Sequence, residues 1–326
     1  MRRLVLTSLA TALGSVAFAS FDLFIMPDSV SGGYARYDPI NRVHLGNINI
    51  AGGGGVAAAS TRSWGYYKYS AGGFVAAVNN HTGERVSGFQ GTFGQMAMST
   101  DGTRVGASTA GGVSIYNSNA PLLSSVGSYA PGGGFVAQGV IAVSSNRWML
   151  YGLSAGGNLD MYLVSATGAL IQGSTNLISS ANLSVAGQGA FGQGVAFVRS
   201  GVERVVIPYR DGAGAHRLFT TTTSFLTPQN QGVGGFSLTN PSTTLAAVAG
   251  HQGFFVVGAD STNSSLTRIH EYDDLPSYAL MQNYTTNVMS VPTGTQWRMS
   301  NLVAPEPGTF VALALGGVAL LRRRKK

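Results

Sequence analysis

A glycine beside another small residue returns about every forty residues along this chain, each time between runs that read as β-strands. The turns are Ser31-Gly32-Gly33-Tyr34, Ala71-Gly72-Gly73-Phe74, Ala110-Gly111-Gly112-Val113 and Ala155-Gly156-Gly157-Asn158. Looser versions stand at Asp211-Gly212-Ala213-Gly214 and Gly250-His251-Gln252-Gly253. The first glycines are 40, 39, 45, 56 and 38 residues apart. A repeat of this length means one supersecondary unit stacked on copies of itself, so the fold follows from the unit.

The unit is all strand. An apolar strand ending in Ser, Thr or Asn precedes most of the turns, as in Gln95–Thr100, Gly139–Ser144 and Gly235–Asn240; Gly194–Arg199 is a similar apolar strand ending in Arg. A short polar turn such as Asp101-Gly102 leads to a second strand: Arg104–Ala107, Arg147–Leu153, Arg204–Tyr209 or Leu245–Ala249. The glycine turn follows, then a third strand (Val113–Tyr116, Leu159–Val164) and a weaker outer one. Strands of four to eight residues joined by Gly, Asn and Asp turns are the signature of antiparallel sheet. Helical periodicity is not sustained beyond two turns anywhere in the body, which argues against α/β architecture.

The expected fold is therefore an all-β propeller of about six four-stranded blades, or seven given the length of 254–296. The run Asp22–Met26 lacks a preceding apolar strand, and Trp297–Val303 lacks partners after it, so the C-terminal strand is expected to close the N-terminal blade. The rivals are a β-solenoid and a pair of β-sandwiches. The units resemble the YVTN and WD40-like propeller repeats of exported bacterial proteins. Ser99-Thr100-Asp101-Gly102-Thr103-Arg104-Val105 is the nearest match to their Ser-x-Asp-Gly-x turn, and the other units match it loosely.

Charge is concentrated at the ends. Arg2, Arg3 and the run Arg322, Arg323, Arg324, Lys325 and Lys326 hold seven of the twenty basic residues. Between Ser20 and Ala304 thirteen basic side chains face twelve acidic ones, so the net charge of +7 belongs to the termini and implies no nucleic-acid partner. Residues 1–19 follow the secretory pattern: two arginines, the apolar stretch Leu4–Phe18, and small residues at Ala17 and Ala19 for signal peptidase. The alternatives are an N-terminal membrane anchor and a buried strand. The chain has no cysteine, which excludes disulfides, thiol nucleophiles and cysteine-ligated metals.

At the other end Pro305, Glu306 and Pro307 precede Phe310–Leu321, twelve residues without a polar side chain, and then the basic cluster 322–326. The prolines stop any strand or helix entering from the body. The apolar run forms a hydrophobic helix of about 18 Å, short against a hydrocarbon core of roughly 30 Å. The tail resembles the PEP-CTERM sorting signal of bacteria that make extracellular polysaccharide, whose Pro-Glu-Pro, apolar helix and Arg-rich end stand here in that order. That resemblance implies transient membrane association, recognition by an exosortase-like membrane enzyme, removal of 305–326, and delivery of the body 20–304 to the cell surface or extracellular matrix. The other reading is an uncleaved tail anchor.

The body offers little chemistry. Gly187-Gln188-Gly189-Ala190-Phe191-Gly192 satisfies GxGxxG with Asp211 downstream, but a strand follows instead of the helix a dinucleotide needs, so an interblade loop is expected and no cofactor. His44, His81, His216, His251 and His270 show no short-spaced metal pair. His270, Glu271, Asp273 and Asp274 form an acidic loop without Ca²⁺-site spacing. Trp64, Tyr66, Tyr67 and Tyr69 suit either a sugar-stacking platform or cross-strand packing, with packing favoured. Asn80, Asn182, Asn263 and Asn283 begin Asn-x-Ser/Thr triplets. The expected function is that of a non-enzymatic structural or glycan-binding propeller, with exopolysaccharide as the expected contact. The alternative is a hydrolase or lyase acting on polysaccharide, which needs convergent carboxylates or histidines.

Overall fold

The described residues of the computed structural model are all-β, with strand segments between Leu23 and Ser300. Most side chains are described over 93–119, 122–183 and 191–226. Residues Asp22–Val303 form one compact unit. In chain order the strands are Leu23–Pro27 (β1), Gly33–Asp38 (β2), Val43–Asn49 (β3), Gly55–Ser60 (β4), Trp64–Tyr69 (β5), Phe74–Asn79 (β6) and Arg85–Gln90 (β7). Met96–Met98 (β8), Arg104–Ser108 (β9), Val113–Asn119 (β10) and Leu122–Tyr129 (β11) follow, then Val136–Ala142 (β12), Arg147–Leu153 (β13), Leu159–Ser165 (β14) and Leu170–Ile178 (β15). After a 3-10 turn at Ser180–Asn182 come Val195–Arg199 (β16), Val202–Arg210 (β17), His216–Thr222 (β18) and Gln229–Gly232 (β19). The last are Thr244–Ala246 (β20), Phe254–Ala259 (β21), Thr267–Tyr272 (β22), Leu280–Thr286 (β23) and Trp297–Ser300 (β24).

Among the described residues these strands form six four-stranded antiparallel sheets. Five are built from consecutive strands; the sixth has the order β24-β1-β2-β3, with Phe24 opposite Ser300 and Pro27 opposite Trp297. The sheets meet chiefly along their first strands: β4 lies against β24 and β8, and β12 against β8 and β16, while β20 lies against β24 and against the second strand β17. Parallel solenoid coils are excluded by the antiparallel ladders, and a sandwich is excluded because single sheets bury both faces. The architecture is a β-propeller.

β13 shows why the apolar pattern is continuous here. Trp148, Met149, Leu150 and Tyr151 are all fully buried. Trp148 and Leu150 pack with Val113, Ile115 and Val140 against the preceding sheet. Met149 and Tyr151 point the other way, into a cluster with Val205, Ile207 and Phe219 of the following one. Successive side chains of a strand face opposite sides, so a strand between two sheets must be apolar at every position. Close approach also dictates a glycine: a Cβ on Gly106 would lie 2.5 Å from Trp148 Cε3, so the indole rests on bare backbone of the neighbouring sheet.

Polar latches join the rims. The Arg104 guanidinium donates to Ser145 O and Asn146 Oδ1, each at 2.9 Å. Arg147 pairs bidentately with Glu203, Nη1 to Oε2 at 2.9 Å, while Thr223 Oγ1 donates to the same oxygen. Each arginine thus grips the residue just before the next sheet's arginine. Both members of the Arg147–Glu203 pair are partly solvated, so it contributes at most about 1 kcal/mol.

The Asp101-Gly102 turn is built as its sequence implies. Ser99 Oγ donates to Asp101 Oδ1 at 2.6 Å, and Thr103 adds its backbone N–H and hydroxyl. Burial alone would raise the Asp101 pKa, but hydrogen bonds from Ser99, Thr103 and Ser145 hold it below the ordinary value. At Asp211 burial is likewise outweighed, by Arg217 and the N–H groups of Ala215 and Ala213. Both folded pKa values lie below an unfolded value of about 3.9. Their stabilisation is therefore complete above that pH and is lost as pH falls through the lowered values. Urea midpoints followed from pH 6 downward should fall less steeply for Asp101→Asn and Asp211→Asn than for the parent chain; parallel curves would show that neither carboxylate is linked to folding.

One expectation needs correction. Leu245–Ala249 was expected as a second strand, but Thr244–Ala246 is the first strand of its sheet and pairs with Phe254–Ala259. The segment containing Gly250 consequently lies between a first and a second strand, whereas the other glycine repeats lie between a second and a third. A three-residue apolar stretch carries no mark of its order in a sheet, which is why spacing misplaced it. Gly235–Asn240, expected to precede it, lies outside the described residues, as do 1–19 and 305–326. Among the described residues no helix is long and apolar enough to cross a membrane.

Because neighbouring strands are antiparallel, the second-to-third turns and the inter-sheet connections share one end of the sheets. This end is the connector face. The first-to-second and third-to-fourth turns share the opposite face.

Candidate functional site

Among the described residues, where the first strands of three consecutive sheets approach one another, amides and a phenol meet. The tripeptide Phe93-Gly94-Gln95 leads into β8 and recurs as Phe191-Gly192-Gln193 ahead of β16. Between them Phe135 and Gln138 carry one residue more, and the register shifts there between Ala137 and Gly139, so Gln138 sits on a β-bulge. Each phenylalanine is an anchor. Phe93 meets Tyr116 edge-on at 5.8 Å, Phe135 meets Tyr162 at 5.4 Å, and Phe191 lies 6.0 Å from Tyr209. With the rings fixed, the glutamines are delivered to the seam between sheets.

Gln95 and Gln193 are 5% and 6% exposed, while Gln138 is half-buried. Gln95 is clamped by its backbone: its N–H donates to Ser108 Oγ at 2.8 Å, and its carbonyl accepts from Ser108 N at 2.8 Å. The centre is Tyr151. Its Oη lies 2.6 Å from Gln95 Oε1 and 2.7 Å from Gly192 O, and it accepts from Gly194 N at 3.2 Å. A phenol has one proton and two lone pairs, so it cannot donate to both neighbours at once. The orientation of a carboxamide is an assignment that heavy atoms do not fix. With the Gln95 amide turned so that its NH₂ meets the phenol, Tyr151 donates to Gly192 O and accepts from Gly194 and Gln95. Gln193 Nε2 completes the seam with a 3.3 Å bond to Met96 O. Gly139 must be glycine: a Cβ there would fall 2.2 Å from both Tyr151 Oη and Gln95 Oε1.

This seam ties three consecutive sheets through neutral hydrogen bonds. Gln95, Tyr151 and Gln193 are engaged in it, which leaves Gln138, beside the half-exposed Val136, as the amide nearest solvent. It offers hydrogen bonding to neutral polar groups.

The histidines and carboxylates singled out by sequence that fall in described strands lie in three different sheets. His44 lies in β3, His216 in β18, and His270 with Glu271 in β22, while His81, His251, Asp273 and Asp274 lie outside the described residues. Among the described residues there is no group of three His, Asp or Glu side chains placed to hold a metal. Tyr66 is fully buried, packs with Phe93 and Met96, and shares a 3.2 Å hydrogen bond with Ser118. Burial raises its pKa, the Ser118 bond opposing. Tyr66 therefore belongs to the core and not to a stacking platform. The GxGxxG stretch is followed by β16, as a connection between sheets would be. Asn182 is exposed at the 3-10 turn. The sorting residues Pro305, Glu306, Pro307 and 322–326, and the cleavage residues Ala17 and Ala19, lie outside the described residues. Sequence reading missed the seam, although two identical Phe-Gly-Gln tripeptides 98 residues apart were its signal.

No family model matches the chain, and no curated protein matches it. Solved structures do. A chain of a nidogen–laminin complex aligns with a TM-score of 0.56 and 11% identity, over 87% of this chain and 98% of that one. A Bacteroides caccae protein of unknown function aligns at 0.54 and 9% identity, with the same coverages. Hydrazine synthase of Kuenenia stuttgartiensis aligns at 0.50 and 9%, over 74% of this chain and 70% of its own. Likeness at this identity concerns the fold alone.

Proposed function

We propose that this chain is an exported propeller of six blades, closed by β24 on β1, that reaches the cell surface or polysaccharide matrix and acts there without catalysis, as a structural or glycan-binding module. The observation that carries this reading is the content of the six first strands. Gly55–Ser60, Met96–Met98, Val136–Ala142, Val195–Arg199, Thr244–Ala246 and Trp297–Ser300 contain no Asp, Glu or His. Glycosidic cleavage in most families uses a pair of carboxyl groups about 5–10 Å apart, and elimination requires a base. The Gln138 amide and the Ser60 and Ser300 hydroxyls of these strands are groups of the kind that hydrogen-bond neutral sugar hydroxyls. The secretory N-terminus and the Pro305-Glu306-Pro307 tail support the route: signal peptidase releases Ser20, and an exosortase-like enzyme removes the tail.

Incubating the mature chain with the producing organism's exopolysaccharide tests the activity. Retention on the polymer without new reducing ends or unsaturated sugars is expected; release of either product would establish the hydrolase or lyase reading instead. Mass spectrometry of surface-released protein tests the route. The expected N-terminus is Ser20 and the expected C-terminus lies upstream of Phe310. Material still carrying Arg322–Lys326 would refute processing and leave a tail anchor.

A further inference from the structure

We infer that the opposite face of the propeller, through Leu170, Ile171, Val198, Val202 and Leu226, rests on an anionic lipid surface while the tail is still attached. The inference rests on the reading of 305–326 as a membrane-inserted tail.

The exposed apolar side chains are unevenly distributed. Among the described residues the large exposed hydrophobics are Val136, Leu170, Ile171, Val198, Val202 and Leu226. Only Val136 stands at the connector end. Leu170 and Ile171 begin β15, Val198 and Val202 flank the turn between β16 and β17, and Leu226 ends the turn after β18. Leu226 is 62% exposed and Val198 57%, and it is their grouping on one face that marks an interaction surface. Gln172 Nε2 donates to Ser224 O at 3.4 Å, which joins the start of β15 to the turn carrying Leu226. Across the two sheets that carry these side chains and the sheet before them, the first-strand ends, turns and second-strand starts (β8–β9, β12–β13 and β16–β17) carry four arginines, Arg104, Arg147, Arg199 and Arg204, against Asp101 and Glu203, of which Arg147 and Glu203 pair with each other. That balance favours anionic headgroups.

The chain leaves by this same face. β24 runs antiparallel to β1 and ends at Ser300 opposite Phe24, at the end of the sheets where β1 begins. Nine residues separate Ser300 from Phe310, a reach of about 35 Å at most when extended. An apolar run of twelve residues is shorter than a bilayer core, and a single weak anchor holds a protein only marginally. A second, interfacial contact supplies what the tail lacks, and loss of the tail then releases the body.

The full chain has no cysteine, so single labelled cysteines report cleanly. Leu226→Cys, Val198→Cys, Ala213→Cys on the connector face and Leu315→Cys in the tail are each labelled with an environment-sensitive fluorophore. Each is bound to phosphatidylcholine–phosphatidylglycerol vesicles carrying headgroup-proximal spin-labelled lipid. Roughly twofold quenching is expected at 226 and 198, as for an interfacial residue, with none at 213. Adding Ile171→Glu and Leu226→Glu to the Val198→Cys chain should abolish quenching at 198 while circular dichroism stays unchanged. Quenching at 315 with none at 226 or 198 overturns the docking and spares the tail reading. No quenching at 315 overturns both. Shielding at 226 that follows protein concentration and ignores the quencher overturns it in favour of a contact between copies.

Discussion

Tyr151→Phe should lower the unfolding free energy by about 2–4 kcal/mol, a large effect for the loss of one oxygen. The ring stays and its apolar contacts with Phe191 and Ile207 persist, so packing is not the cause. What is lost is the partner of three polar groups at a buried seam. Gly194 N–H and the Gln95 amide each lose a bond, and Gly192 O loses its donor. A buried group left unsatisfied costs about 1–3 kcal/mol, more than a bond made in water's presence contributes. The urea midpoint should fall at unchanged slope. Adding Gln95→Leu should recover part of the loss by removing one orphan, a positive coupling in a double-mutant cycle. A Tyr151→Phe chain as stable as the parent would show that the seam does not hold the sheets together.

Trp148→Ala should cost about 3–5 kcal/mol, as for large aromatic truncations in packed cores. The indole is fully buried between two sheets, stacked on Gly106 and surrounded by Val113, Ile115, Val140 and Leu150. Rigid sheets on either side cannot collapse into the space. Trp148→Phe should cost far less, about 1 kcal/mol, because Nε1 has no hydrogen-bond partner and its removal relieves a buried unsatisfied donor that partly offsets the lost area. Gly106→Ala should resemble Trp148→Ala in direction, since its Cβ would occupy the ring's place. Equal losses for Trp148→Phe and Trp148→Ala would show that the indole N–H is satisfied after all.

Much of the fold was readable from local pattern. The glycine turns at Gly72, Gly111, Gly156 and Gly212 each join second to third strand of a sheet, because a tight reversal leaves its signature in adjacent residues. Arg104 and Arg147 open second strands as expected. The expected pairing of Trp297–Val303 with the N-terminal unit appears as β24 beside β1, with Trp297–Ser300 paired. The seam was less readable. Tyr151 reads as one more apolar residue in Arg147–Leu153, and its partners are 56 and 41 residues away. Nothing near Gln95 announces that its side chain will meet a phenol from the next sheet.

By itself, the amino-acid sequence determined the repeat, the strand class, the near-neutral body and the two charged ends, all properties written in neighbouring residues or in counts. Tertiary structure alone decided which face of β13 meets which sheet, that Thr244–Ala246 comes first in its sheet, and that three sheets are joined by one phenol. The physical reason is burial on both sides. A strand enclosed by two neighbours loses the alternation that would mark its faces, so its orientation is set only when the sheets close on one another.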